Sequence, residues 1–273
     1  MTFLSKLKTI QKKNNSLLCI GLDTDINLIP SFLRKEKNPQ YEFNQRIIEA
    51  THDIVCAYKI NSAFYEATGV RGWSAMEKTI TIIPKEIITI ADAKRGDIGN
   101  SSHYYAKTFL RELDCDSITV SPYMGKDSVE PFLQSEKKCA FLLALTSNNG
   151  AKDFQYLKVE KKYLYEKVIE KSLRWNTKKN IGFVVGATKS KELQKIRKIA
   201  PNVPLLIPGV GTQGGSVKDG IRFGCDKDGM LAIINASRSI IYASNKKYFA
   251  KSARSAAILL RDEMNFYREK FYS

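Results

Sequence analysis

Histidine, paired cysteines and long apolar runs are scarce in this chain of 273 residues. The two histidines, His52 and His103, leave little material for a histidine-based metal site or a catalytic triad. The five cysteines are widely spaced and form no CxxC pair, which favours small core residues in a reducing compartment. No stretch approaches the roughly 20 apolar residues of a membrane span. The basic start before residues 17–22 also lacks the cleavage site of a signal peptide. These absences predict a cytoplasmic protein that does not enter a membrane.

Acidic residues are outnumbered, with 28 against 44 basic residues and a net charge of +16. A nucleic-acid-binding protein would gather its basic residues on one face and interleave them with aromatic residues. Here they occur as scattered doublets, such as Lys12-Lys13 and Lys246-Lys247. We therefore favour a solvated surface whose positive field attracts a phosphorylated small molecule. Nucleic-acid binding stays as an alternative, which steeply salt-dependent duplex binding without turnover would support.

Short apolar segments alternate with segments of helical periodicity along the whole chain. Helical spacing predicts an N-terminal helix over residues 2–13. The predicted strands are 17–22, 55–60, one that opens at Ile87, 117–120, 140–145, 181–185, 204–207 and 230–234. Strands that alternate with helices indicate a parallel sheet. Eight such units in this length favour a single α/β domain over residues 1–273, a (β/α)₈ TIM barrel with an added N-terminal helix.

The third predicted strand runs directly into the charged stretch Asp92-Ala93-Lys94-Arg95-Gly96-Asp97. Side chains alternate along a strand, so Asp92 and Lys94 are expected on the same face. The glycine turn allows Asp97 to fold back toward the same lysine. Neighbouring carboxylates would keep that lysine protonated, as a general acid directed at a carbanion requires. The alternative is a salt-bridged strand end without a catalytic role.

Other predicted strands also end in polar or glycine residues: Asp23, Lys59, Ser147, Gly209 and Arg238. In a barrel these ends converge on one face, where active sites lie. The glycine loop 209–215 follows the seventh strand and Arg238 follows the eighth, which predicts a phosphate site of backbone N–H groups and a guanidinium. The hydroxyl and amide groups of residues 146–148 could form hydrogen bonds with the polar edge of a heterocycle, or these residues could form a turn.

These motifs, in their order and spacing, resemble the orotidine 5′-phosphate decarboxylase family, and in particular its bacterial subgroup with longer chains. The matching stretches are Leu22-Asp23-Thr24-Asp25, Tyr58-Lys59-Ile60-Asn61, Asp92-Ala93-Lys94-Arg95-Gly96-Asp97, Pro122-Tyr123-Met124-Gly125, Thr146-Ser147-Asn148 and Gly209-Val210-Gly211-Thr212-Gln213-Gly214-Gly215. The resemblance implies decarboxylation of orotidine 5′-phosphate to UMP, in pyrimidine biosynthesis, without a metal or a cofactor.

The resemblance also implies a role for individual residues. Lys94 would protonate C6 of the pyrimidine as carbon dioxide leaves, and Asp92 would lie near the scissile carboxylate and hold Lys94. Asp97 would cross a homodimer interface and complete the charged array with Lys59 in the partner's site. The implied substrate-binding residues are Asp23 for the ribose, Ser147 for the pyrimidine edge, and Gly209, Gly211, Gln213, Gly214 and Arg238 for the phosphate.

This chain departs from the family pattern after Asp97. Many relatives carry a threonine that contacts ribose or phosphate where this chain has Gly99-Asn100-Ser101-Ser102. Ser101 and Ser102 are the candidates to replace that contact.

A second candidate function is a magnesium-dependent sugar-phosphate decarboxylase or aldolase of the same superfamily. Those enzymes carry a carboxylate metal ligand on the second strand, where this chain has Lys59. A protonated lysine has no acceptor atom for magnesium, which argues against this alternative.

Overall fold

The computed structural model describes residues 1–210 and 215–272. Within these residues, eight parallel strands close into a barrel in the order β1-β10-β9-β8-β5-β4-β3-β2, and two short strands pair as a separate hairpin. The barrel strands are β1 (Leu18–Gly21), β2 (Ala57–Asn61), β3 (Ile88–Arg95), β4 (Ser117–Val120), β5 (Cys139–Leu145), β8 (Ile181–Val185), β9 (Leu205–Pro208) and β10 (Ala232–Ala236), and the hairpin strands are β6 (Lys158–Val159) and β7 (Lys162–Tyr163). The predicted (β/α)₈ barrel is confirmed.

Helices connect the strands and form the outer layer of the barrel. They are α1 (Phe3–Lys13), α2 (Pro39–Thr51), α3 (Ala63–Glu66), α4 (Val70–Ile82), α5 (Gly99–Lys107), α6 (Lys126–Val129), α7 (Ala151–Phe154), α8 (Leu164–Trp175), α9 (Ser190–Ile199), α10 (Val217–Gly224), α11 (Arg238–Ile241) and α12 (Phe249–Tyr272). Two 3₁₀ turns (Ser31–Leu33 and Glu130–Leu133) and a π-helical turn (Thr108–Glu112) complete the described elements. None of the helices in the described part of the chain is both long and apolar enough to span a membrane.

The N-terminal helix α1 lies across the amino-terminal end of the barrel. The N–H of Phe3 donates to the carbonyl of Glu136, just before β5, at 2.9 Å. Lys6 pairs with Asp116, just before β4, at 2.6 Å. The buried amide of Gln11 donates to the first carbonyl of β10, on Ala232, at 2.7 Å. The helix therefore closes the end of the barrel opposite to the predicted site.

Several strand boundaries differ from the prediction by one or two residues, and two of the differences have an identifiable reason. β10 begins at Ala232 and not at Met230, because Met230 N–H still closes a turn onto the carboxylate of Asp226 at 2.8 Å. β3 extends through Arg95, beyond its apolar residues, because Arg95 resumes pairing with Val120 of β4 after a register shift. That shift places an irregularity inside the charged stretch of the third strand.

Candidate active site

A cavity of about 270 Å³ opens at the carboxyl-terminal ends of the barrel strands. The predicted site residues that line it are Asp23, Lys59, Asp92, Lys94, Ser147, Gly209 and Arg238. They come from six different strand ends, so closure of the barrel is what brings them together. A larger hollow of about 500 Å³ lies against α5 in the outer layer and contains none of these residues. Gly211, Gln213 and Gly214, also predicted here, lie outside the described residues.

Four charged side chains alternate in sign along the wall of this cavity. Lys59 Nζ lies 3.2 Å from Asp23 Oδ1 and 3.0 Å from Asp92 Oδ2. The other carboxylate oxygen of Asp92 lies 2.7 Å from Lys94 Nζ. Asp92 therefore joins the two lysines, one through each of its oxygens. Asp23 follows β1, Lys59 lies on β2, and Asp92 and Lys94 lie on β3.

Burial and ion pairing act in opposite directions on these groups. Burial raises the pKa of Asp92, but the ammonium groups of Lys59 and Lys94 more than offset that effect and hold its pKa well below the usual range. Burial lowers the pKa of Lys59, whereas Asp23 and Asp92 raise it, and the net pKa lies above the usual value for lysine. Asp92 and Lys59 therefore stay ionised at neutral pH despite their burial.

The two lysines differ in their access to the cavity. The Lys59 side chain is only 5% exposed, whereas Lys94 is 50% exposed. Asp92 is buried between them. Lys59 is thus the buried, fixed cation of the array, and Lys94 presents its ammonium to the open part of the cavity.

The contact between Asp92 and Lys94 does not arise from regular strand alternation. Lys94 has φ +48°, in the left-handed region that residues with side chains rarely adopt, and the β3–β4 register shifts between Ala91 and Arg95. The expectation that the two side chains share one face of a regular strand is therefore wrong in its geometry, although the side chains do meet. An irregularity in β3 directs Lys94 to the carboxylate.

Asp97 does not fold back onto Lys94 of the same chain. Its Oδ1 accepts the N–H of Ile98 at 2.8 Å, and no ion pair joins it to a lysine in the described parts of the chain. The return of Asp97 to the same lysine, which the glycine turn suggested, is thus not observed. Its side chain is partly exposed.

Small residues allow the strand ends to approach one another around the cavity. A Cβ on Gly186, just after β8, would lie 2.9 Å from the Cβ of Ser147, so glycine is what lets Ser147 reach the cavity. Gly209 has φ +93°, which favours glycine, and its carbonyl accepts the N–H of Gly215 at 3.1 Å. This bond joins the two ends of the glycine loop beside β9.

Two polar residues at the site were not singled out from the sequence. Thr119 on β4 and Asn235 on β10 are buried and line the cavity. Thr119 lies inside the predicted strand 117–120 and gives no polar signal at a strand end, whereas Asn235 directly follows the predicted strand 230–234 and could have been found by that position. Asn61, at the end of β2, also lines the cavity. The apolar part of the wall consists of Leu143, Val184, Leu206, Pro208, Val210 and Ala236.

Comparison with known proteins gives a consistent family assignment. Residues 16–253 match the family model of the orotidine 5′-phosphate decarboxylase / HUMPS family. The chain belongs to this family. It is 53% identical to an orotidine 5′-phosphate decarboxylase of Dehalococcoides mccartyi, over 99% of this chain and 100% of the relative. It is 54% identical to one of Christiangramia forsetii, over 94% and 96% of the two chains. The solved structure of Leishmania donovani OMP decarboxylase has a TM-score of 0.86 at 38% identity, over 98% and 99% of the two chains.

The structure distinguishes the two serines that could replace the threonine of other family members. Ser102 is fully buried and donates its hydroxyl to the carbonyl of Ser128 at 2.8 Å. Ser101 is exposed on α5. Of the two, only Ser101 presents a hydroxyl at the surface.

Substituting Lys59 tests the ion-pair array, since Lys59→Met removes the charge but keeps much of the volume. Asp23 and Asp92 would then lose their shared buried cation, and we expect the free energy of unfolding to fall by about 3 kcal/mol at pH 7. Because the folded-state pKa of Asp92 lies below its unfolded value, its stabilisation is present above pH about 4 and is lost as the pH falls further. The difference between wild type and variant should therefore narrow below pH about 4. Urea unfolding at several pH values measures this difference in the free energy of unfolding.

The matched control is Lys85→Met, which removes an exposed lysine that lies 3.5 Å from Asp114. This variant should change stability little, because exposed ion pairs contribute little. Equal stability losses in the two variants would contradict the proposed importance of the buried array.

Proposed function

We propose that this protein decarboxylates orotidine 5′-phosphate to UMP without a metal or a cofactor. The observation that carries the proposal is the Lys94 ammonium, held at 2.7 Å by the buried carboxylate of Asp92 and half exposed to the cavity. The assignment of the chain to this family and the named activity of relatives more than 50% identical over almost the whole chain support it.

The chemistry requires a fixed positive charge close to one ring carbon. When the bond between C6 and the carboxylate breaks, the electron pair stays on C6 in the plane of the ring, and carbon dioxide leaves. The ammonium of Lys94 stabilises this charge and then transfers a proton from Nζ to C6, which gives UMP. A preorganised charge is more effective in a dry, low-dielectric site than in water. The apolar wall of Leu143, Val184 and Leu206 supplies such surroundings.

The remaining cavity residues are proposed to bind the parts of the nucleotide that do not react. Arg238 and the backbone of Gly209 would hold the phosphate together with Gly211, Gln213 and Gly214. Ser147 would contact the pyrimidine edge, and Asp23 the ribose hydroxyls. Asp23 already pairs with Lys59, so it would contribute its second oxygen to the ribose. Binding at these remote groups helps to fix the reacting carbon against Lys94.

We further propose a homodimer in which Asp97 enters the partner's site. Ile98 directly follows Asp97, and Tyr123 and Met124 follow β4; all three are large, exposed side chains. Met124 approaches the glycine turn, since its Cε would lie 3.5 Å from a Cβ on Gly96. A cluster of exposed apolar side chains, close in sequence to a carboxylate with no lysine partner among the described residues, is typical of a surface that a second copy covers.

The proposed setting is the cytoplasm, with the chain as one barrel domain that binds neither membranes nor nucleic acid. All five cysteines are buried and free, which is typical of a reducing compartment. The net charge of +16 then serves the attraction of a phosphorylated substrate.

The magnesium-dependent alternative has less support. Each of the two carboxylates closest to Lys59 is already paired with an ammonium group. Within residues 1–210 and 215–272, no group of three or more His, Cys, Asp and Glu side chains is arranged to hold a metal ion.

The proposed reaction can be tested directly by ultraviolet absorbance. Purified protein in excess EDTA should convert orotidine 5′-phosphate to UMP as fast as the untreated protein does, because no step uses a metal. Loss of activity in EDTA, restored by magnesium, would contradict a metal-free reaction. No conversion at high protein concentration, with or without magnesium, would contradict the proposed function.

Replacing the proton donor separates chemistry from binding. Lys94→Ala should lower kcat by about 10⁴-fold or more, because both the stabilising charge and the proton are lost. Affinity for UMP, measured by calorimetry, should stay within about fivefold, since the phosphate and ribose contacts persist. Lys85→Ala is the control for removal of a lysine charge. A near-normal kcat in Lys94→Ala would refute the proposed role.

The shared site predicts complementation between two inactive variants. In a hybrid dimer of Asp97→Ala and Lys94→Ala chains, one site has both groups intact and the other has neither. Random mixing should therefore restore about a quarter of the wild-type activity. Mass spectrometry of differently tagged chains verifies subunit exchange. Hybrid dimers without activity would contradict a site completed by Asp97 of the partner.

A further inference from the structure

The backbone at Lys94 depends on a side chain of the neighbouring strand. Regular pairing between β3 and β4 is interrupted between Ala91 and Arg95, and Lys94 takes its left-handed conformation within this interruption. Its N–H therefore has no regular carbonyl partner on β4 and donates instead to Thr119 Oγ1 at 2.9 Å. This N–H is partly buried, and leaving it without an acceptor would be costly, so the contact stabilises the irregular conformation.

The same hydroxyl also contacts the carboxylate that holds Lys94. Thr119 Oγ1 lies 2.9 Å from Asp92 Oδ1, the oxygen that accepts the Lys94 ammonium at 2.7 Å. A threonine hydroxyl has one hydrogen, and an ionised carboxylate can only accept. Because the N–H of Lys94 already donates to Oγ1, the hydroxyl hydrogen must point to Asp92. The polarity of both contacts is thus determined.

Thr119 thereby closes a small ring of contacts around the proposed proton donor. The ring runs from the Lys94 ammonium to Asp92, from Asp92 to the Thr119 hydroxyl, and from that hydroxyl to the backbone N–H of Lys94. It therefore ties both ends of Lys94 to one anchor. Thr119 is only 1% exposed and belongs to β4, inside the barrel wall, so this anchor has little freedom to move.

We propose that Thr119 is a positioning residue for the decarboxylation, which sets the direction of the Lys94 ammonium through its backbone and through Asp92. The inference rests on the proposed function. A long lysine side chain loses conformational entropy when it is fixed, and the ring imposes that loss before substrate binds. The hydroxyl itself transfers no proton to the substrate. Its removal should affect the reaction step far more than nucleotide binding.

The test compares two substitutions at this position. Thr119→Val keeps the shape but removes the hydroxyl, whereas Thr119→Ser keeps the hydroxyl. We expect Thr119→Val to lower kcat by about tenfold to a hundredfold, because the hydrogen bond to the Asp92 carboxylate and the acceptor of the Lys94 N–H are both lost. The Kd for UMP should change by less than about threefold. Thr119→Ser should keep kcat within about threefold of wild type.

Ser117→Ala is the matched control on the same strand. Ser117 is fully buried, and its hydroxyl donates to the carbonyl of Thr89 at 3.2 Å, outside the cavity. The Ser117→Ala variant shows how the loss of a buried hydroxyl from β4 affects stability and activity in general. Its kcat should stay close to that of the wild type, even if its thermal midpoint falls. If Thr119→Val does not fold, Thr119→Ala takes its place in the comparison.

The outcomes separate this inference from the proposed function. Wild-type protein that fails to decarboxylate orotidine 5′-phosphate contradicts the function itself. An active wild type combined with a kcat within about twofold in the hydroxyl-free variant overturns only the role of Thr119. Equal losses in the valine and serine variants, or parallel losses of kcat and UMP affinity, would indicate a packing effect and would likewise overturn it.

Discussion

The buried ion pair between Lys59 and Asp92 is the interaction on which the rest of the site depends. Each charge alone would be strongly disfavoured inside the barrel, and together they are tolerated because Asp23 and Lys94 extend the alternation of charge at either end. The barrel makes this possible, since adjacent parallel strands place Asn61 beside Asp92 and Lys59 beside Ile90. Lys59 then reaches the Asp92 carboxylate from the neighbouring strand.

Each carboxylate oxygen of Asp92 contacts a different ammonium group, which explains how two positively charged lysines can lie in one cavity. Oδ2 faces the buried lysine, and Oδ1 faces the half-exposed one and the hydroxyl of Thr119. This arrangement keeps the carboxylate ionised and limits its rotation. The proposed proton donor is consequently held by a group that cannot itself take up a proton near neutral pH. Stability and proposed catalysis thus use the same contacts.

The described chain leaves one part of the charged array open. Two carboxylates and two ammonium groups balance within one chain, and a partner's Asp97 would add a third carboxylate on the exposed side of Lys94 in the proposed dimer. Orotidine 5′-phosphate brings further negative charge at its phosphate and carboxylate. Arg238 and the basic surface offset that charge and would favour entry of an anionic nucleotide.

The sequence by itself determined the barrel fold and the identity of most polar residues at its strand ends. Periodicity marked the apolar strands, and charges such as Lys59 and Asp92 within or directly after them stood out against that pattern. Those signals are local, because alternation and turn chemistry act over a few residues. The position of the strand that carries Lys94 could therefore be predicted, but its conformation could not.

Only the tertiary structure decided which of these groups meet. The pairing of Lys59 with both Asp23 and Asp92 joins residues more than 30 positions apart, and it depends on strand register. The register shift in β3 breaks the periodic pattern, so alternation gave the wrong geometry for Lys94. Thr119 was inconspicuous because a threonine in an apolar strand is ordinary. Its hydroxyl has a role only because the interrupted pairing between β3 and β4 leaves the N–H of Lys94 without a carbonyl acceptor.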